Sequence, residues 1–260
     1  TSGAIDPLIP TQKLLDDAVT MAKYTTQSEH NRLPQNAQTY PELAVFDNNI
    51  SHVSVEEKIE LARHMERTAR AYDSRVTVIE RAGYEDGEVS QLIMNTREIN
   101  AFARGNYCGG YLFLVAEQDG DAQNGFSVSL KKSYADLEPE AIATEAASKA
   151  VRSLKARVIP SARIPCLLDP YVMTRFLGMI ARMVDAEAVQ KGKSLFVGAI
   201  GQQVASVNFN LVDDGLYADG IASFPFDGEG VASQTTSLIE KGQLKGYLYD
   251  TYTASSDGTD

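Results

Sequence analysis

The chain has 260 residues and carries 24 Lys and Arg against 35 Asp and Glu, a formal net charge of −11. That balance argues against direct binding of nucleic acid, whose phosphates require clustered Lys and Arg, and suits a cationic or extended peptide partner better. The longest apolar runs, at 111–116 and 164–168, fall far short of the ~20 residues of a membrane-spanning helix. Two cysteines, Cys108 and Cys166, are too few for a disulfide framework and fit a reducing cytoplasm. The opening Thr1-Ser2-Gly3 lacks Met and any signal-peptide pattern, and reads as a cut or processed end.

In chain order, Leu14, Leu15, Ala18, Val19, Met21 and Ala22 recur with helical spacing. Ser54-Val55-Glu56-Glu57 is a capping box, in which Ser54 accepts from the Glu57 amide and the Glu57 carboxylate reaches back. It predicts a helix to about Tyr72 with Ile59, Ala62, Met65 and Ala69 on one face. Strands are predicted over 75–80, 90–95 and 111–116, and a fourth over 125–131 from its period-two alternation. Pro139 opens an Ala- and Glu-rich helix running through Ala156. These elements predict an α+β domain over 1–163.

From residue 164 the reading changes. Residues 164–168 form a candidate buried strand, and Asp169-Pro170 is an N-cap followed by proline at the first helical position. The helix that follows carries an apolar stripe of Val172, Phe176, Leu177, Ile180 and Val184, which reads as core ahead of subunit interface. Val207, Phe209 and Leu211 alternate with Ser206, Asn208 and Asn210 as in a half-buried strand, and Lys241-Gly242 marks a hairpin turn. The fold class is therefore α+β, with a β-rich, antiparallel second domain over 164–260.

Several chemical constellations weaken under their bland readings. His64-Met65-Glu66 with Pro165-Cys166 resembles pieces of a zinc-deaminase signature, but Asp169 stands where the second cysteine belongs. His64 lies on an Arg- and Glu-rich helix flank, which suits a solvated side chain. Cys108, a conceivable nucleophile, reads better as a small buried residue. Asp213, Asp214, Asp219, Asp227 and Glu229 offer oxygen ligands without the spacing of a calcium loop, so turn chemistry explains them equally well. Gly198 and Gly201 belong to no nucleotide fingerprint, and Ser129-Leu130-Lys131-Lys132 falls on a strand where a Ser-x-x-Lys site needs a helix start.

Four words of the last third, Lys191-Gly192-Lys193-Ser194, Val212-Asp213-Asp214-Gly215, Phe226-Asp227-Gly228-Glu229-Gly230-Val231 and the run from Leu238 to Asp250, follow one another in fixed order. Together they resemble the TldD/PmbA family, the modulator of DNA gyrase or U62 peptidase-like proteins. The resemblance implies a zinc-binding His-Glu-x-x-x-His word in TldD-type members, on the helix that runs into Lys191-Gly192. Counted back without gaps, its positions hold Leu177, Gly178 and Arg182. An aliphatic side chain, a glycine and a permanent cation supply neither a zinc ligand nor a base for bound water.

The resemblance thus implies a PmbA/TldE-type subunit with no catalytic or metal residue of its own, zinc being expected only in a TldD-type partner. It implies a heterodimer with that partner or a homodimer, unfolded peptides as substrate, and no direct contact with nucleic acid or membrane. It also implies that the chain begins and ends inside the family's length. The loop Asp227, Gly228, Glu229 and Gly230 is the candidate contact to substrate or partner, with a plain structural bend as the rival reading. The competing function is an independent hydrolase acting as a homodimer through an unrecognised site.

Overall fold

A computed structural model describes residues 11–35 and 39–259. The expected α1 is present at Thr11–Tyr24, but none of its residues is buried. Helix α2 (Val55–Tyr72) starts at the expected capping box: the Ser54 hydroxyl accepts from the Glu57 amide at 3.2 Å, and the Glu57 carboxylate accepts from the Ser54 amide at 2.8 Å. Its buried face is Leu61, Met65 and Ala69, one step per turn. Ile59, expected on that face, is exposed instead, because the i, i+4, i+8 row through Met65 passes through Leu61.

Strands β1 (Val76–Met94), β2 (Asn100–Gln118) and β3 (Asp121–Lys131) form one antiparallel sheet in that order. The separate strands expected at 75–80 and 90–95 are the two ends of the 19-residue β1. Gly83 and Gly87, which fall between the two expected strands, lie beneath the rings of the cross-strand partners Tyr111 and Tyr107. The ring occupies the space a Cβ would need, so glycine continues the strand there. At ~3.4 Å per residue the hairpin reaches roughly 60 Å. Its near half packs on helices and its far end reaches the C-terminal part of the chain.

Helix α3 (Pro139–Ser153) ends three residues before the expected Ala156. It lays Ile142, Ala143, Ala146, Ala147 and Ala150 on the sheet, and with Met65, Leu112, Leu114 and Ala116 these make the main core. Cys108 sits in this core fully buried, as its composition suggested, and burial pushes its thiol pKa up. A thiol both shielded and held protonated is a poor nucleophile. Ellman's reagent is therefore expected to titrate one thiol per native chain, the exposed Cys166, and Cys108 only in denaturant; two rapidly labelled thiols per native chain would contradict its placement.

The C-terminal part comprises α4 (Pro170–Met183), α5 (Ala186–Gln190), β4 (Leu211–Asp214), β5 (Thr235–Glu240), β6 (Gln243–Leu244) and α6 (Thr251–Asp257). Its three strands pair antiparallel in chain order. Val184, Ala199, Leu238, Ile239 and Leu244 form their core. With helices and two antiparallel sheets, the chain is α+β as expected. Asp169 caps α4 through the Tyr171 amide at 2.9 Å, and Lys241-Gly242 turns between β5 and β6 with both residues at positive φ, also as expected.

Three expectations fail here. Residues 164–168 are exposed and unpaired among the described residues; Pro160 and Pro165 remove amides, and no strand lies alongside. Residues 206–210 bend instead of extending, because their polar side chains serve backbone amides, one nearby and one in the β5–β6 turn. The Ser206 hydroxyl accepts from the Asn208 amide at 3.3 Å, and the Asn210 side chain accepts from the Lys241 amide at 2.8 Å. The apolar stripe of α4 is not core: Val172 and Phe176 are exposed, Leu177 and Ile180 half-buried, and only Val184, past the helix end, is buried.

Candidate functional site

The far end of the β1–β2 hairpin anchors the site. Ile99 and Ala101 bury Phe226, with Ile93 and Phe224 packed around them. This places the loop that begins at Phe226 against the hairpin. Its backbone closes on itself: the Asp227 amide donates to the Val231 carbonyl at 2.9 Å, and the Gly230 amide to the Asp227 carbonyl at 3.1 Å. Gly230 has φ of +83°, and a Cβ there would meet Ile99 Cγ2 at 2.7 Å. Only glycine satisfies both demands. Tyr40 reinforces the turn by donating its hydroxyl to the Gly230 carbonyl at 2.8 Å.

Both loop carboxylates are engaged within the chain. Asp227 Oδ1 accepts from the amides of Glu229 and Val231, each at 2.9 Å. Glu229 Oε2 accepts from the Thr251 amide at 2.9 Å and its hydroxyl at 2.8 Å. Thr251 opens α6, so Glu229 ties the loop to that helix's free amides. Asp250 adds a capping box with Thr253, which sequence reading passed over although Asp-x-x-Thr was its visible signal. The Thr253 hydroxyl, followed by neighbouring backbone amides, holds the Asp250 carboxyl below its usual range despite partial burial.

These groups line an open cleft of about 670 Å³. Its lining includes Asp213, Asp227 and Glu229, Tyr249 and Thr251, and Arg32 and Arg97. The arginines come from sequence that carries no motif. The site can therefore present charges of both signs to an extended chain. Isosteric Asp227→Asn and Glu229→Gln keep the acceptor oxygens and are expected to change stability by under about 0.5 kcal/mol. Glu229→Ala removes the tie to α6 and is expected to cost about 1 kcal/mol; thermal melts compare the two.

The other candidates are dispersed. His64 Nε2 lies 2.6 Å from Glu140 on α3, His52 Nδ1 is 2.8 Å from the Asn48 carbonyl, and His30 Nδ1 is 3.4 Å from Ser255. Lys191-Gly192-Lys193-Ser194 ends α5: the Lys193 amide returns to the Ala188 carbonyl at 2.8 Å, and Gly192 takes φ of +65°. On α4, Leu177 is half-buried, Gly178 faces open space and Arg182 is exposed. Zinc does not fit that helix, since none of the three supplies a donor and a guanidinium repels a dication. Among the described residues no three His, Cys, Asp or Glu side chains converge as a metal set.

An α+β chain with a long hairpin, a hairpin-anchored acidic loop and a capped helix closing one cleft defines the structural class. Residues 48–154 match the model of the PmbA/TldA metallopeptidase central domain and residues 161–260 that of its C-terminal domain. The chain belongs to the PmbA/TldD family. It is 27% identical over 258 residues to a metalloprotease of Methanocaldococcus jannaschii, covering 94% of this chain and 54% of that protein. It is 30% identical over 215 residues to a metalloprotease TldD homolog of Haemophilus influenzae, covering 78% of this chain and 44% of the relative. The chain thus spans about half the length of these relatives.

Among solved structures, one described as a modulator of a DNA gyrase from Thermotoga maritima superposes with a TM-score of 0.88 at 26% identity, over 97% of this chain and 58% of its own. TldE from Thermococcus kodakarensis gives a TM-score of 0.81 at 21% identity over 96% of this chain and 56% of its own, a likeness of fold.

Proposed function

We propose that this chain is the non-catalytic, PmbA/TldE-type subunit of a TldD/TldE-like zinc metallopeptidase in the cytoplasm. The observation that carries the reading is α4, where the positions of the family's zinc word hold Leu177, Gly178 and Arg182. The zinc and its proton chemistry then belong to a TldD-type partner. This chain helps to form the path by which unfolded peptides reach the metal.

Within that reading the two halves, 1–163 and 164–260, meet at the cleft, and the loop Asp227-Gly228-Glu229-Gly230 orients peptide or partner at its wall. An extended peptide suits a cleft lined by both carboxylates and arginines. The test is peptide hydrolysis by this chain alone, by a TldD-type partner alone, and by the two mixed. Activity only when the partner is present supports the proposal; hydrolysis by this chain alone rejects it. In the mixture, the double change Asp227→Asn, Glu229→Gln is expected to lower turnover at unchanged stability. Unchanged turnover would leave the loop a connector.

A further inference from the structure

Arg32 and Arg97 line two clefts, the one of about 670 Å³ described above and a smaller one of about 440 Å³ lined by Arg32, Leu33, Thr96 and Arg97. Neither guanidinium pairs with a carboxylate among the described residues, in a chain of net charge −11. The acids of the loop do not serve them, because Asp227 accepts from its own loop amides and Glu229 from Thr251. Each arginine spends a single nitrogen on the chain: Arg32 donates through Nε to the Glu29 carbonyl at 3.2 Å, and Arg97 through Nη1 to the Leu33 carbonyl at 3.3 Å. The Nη1–Nη2 end of Arg32 and the Nε–Nη2 edge of Arg97 are left without a partner among the described residues. Each is a two-donor fork that matches both oxygens of a carboxylate.

The two forks are brought together by the tip of the β1–β2 hairpin. There the Asn95 side-chain oxygen accepts from the Arg97 amide at 2.8 Å and the Ile99 amide at 3.2 Å. Ile99 is buried in the core that anchors the tip, so Arg97 stands on a fixed turn. Asn95 Nδ2 donates to the Pro34 carbonyl at 2.9 Å, and with the Arg97 bond to Leu33 this ties the segment that carries Arg32 to the same tip. Leu33, half exposed beside the arginines, adds an apolar flank. Donors held in this way lose little freedom when an anion arrives. Nucleic acid is a poor occupant, since two cations cannot offset the charge of so acidic a chain.

We propose that Arg32 and Arg97 form a carboxylate subsite for a peptide lying in the larger cleft. The carboxylate is the C-terminus of the peptide or an acidic side chain, and the experiment separates the two. The inference rests on the reading that this chain handles extended peptides, and adds a group by which it holds them. Its test reads binding by this chain without hydrolysis or a partner. It can therefore fail while the peptidase proposal stands, and the reverse.

The experiment is titration calorimetry on this chain with an N-acetylated, unstructured peptide of Gly, Ser and Leu. The peptide is made with a free C-terminal carboxylate, with a C-terminal amide, and as the amide with one internal Glu. A carboxylate form is expected to bind roughly three- to tenfold more tightly than the plain amide in low salt. Preference for the free acid assigns the subsite to the C-terminus, preference for the Glu form assigns it to a side chain, and both support the proposal. Arg32→Ala with Arg97→Ala is expected to abolish the preference with an unchanged circular dichroism spectrum, because both side chains are exposed. Equal affinity for all forms overturns the proposal, as does the absence of binding by any of them. A preference that survives in the double variant overturns it too, since another cation would then hold the carboxylate.

Discussion

Gly125→Val is expected to destabilise the protein by about 3 kcal/mol or more, the upper end for overfilling a packed core. At this position β3 passes so close to α3 that an added Cβ would overlap the Ala146 carbonyl oxygen and come within 2.8 Å of the Ala150 amide. Both obstacles are helix backbone, which cannot rotate away as a side chain would. The helix can lie this close because it presents alanines 143, 146, 147 and 150 to the sheet. For a chain of this size such a loss corresponds to a drop of roughly 6–12 °C in melting temperature. A melt unchanged within about 2 °C would mean that α3 does not sit on β3 at this distance.

Gly242→Val is expected to cost about 2–5 kcal/mol through two separate causes. Gly242 has φ of +78°, a region that costs an L-residue about 1–2 kcal/mol. Its Cβ would also run into the carbonyls of Ala205 and Ser206, adding about 1–3 kcal/mol of overpacking. The turn is a tie point: the Val204 and Ala205 amides donate to the Gly242 carbonyl at 2.9 and 3.1 Å, and the Gly242 amide donates to Phe209 at 2.8 Å. Loosening it frees the strand that leads to Tyr249 and the cleft. The expected result is early loss of protection of amides 238–248 in hydrogen exchange; protection equal to wild type would contradict this role.

Local signals were readable wherever one short motif decides the backbone. The Ser54–Glu57 box, the Asp169 cap and the Lys241-Gly242 turn each act over a few residues and stand where the sequence put them. The long hairpin was not readable, because Gly83 and Gly87 look like breaks until Tyr111 and Tyr107 are seen to cover them from another strand. Residues 206–210 alternate like a strand, yet Ser206 holds a local bend and Asn210 accepts from the distant Lys241 amide of the β5–β6 turn. The α4 stripe shows the limit of periodicity: it reports an apolar face but not whether this chain covers it. At the site, Asp227 and Glu229 were visible as a turn. Their grip on Val231 and Thr251 depends on residues up to 22 positions away.

The central claim is that the chain brings no zinc of its own to a zinc peptidase family. The most direct measurement is metal content after the purified chain is equilibrated with excess zinc and freed of unbound metal. On this account zinc remains well below one equivalent, and Leu177→Ala and Arg182→Ala leave that content unchanged. One tightly held zinc per chain, with peptide hydrolysis that a chelator abolishes and added zinc restores, would contradict it.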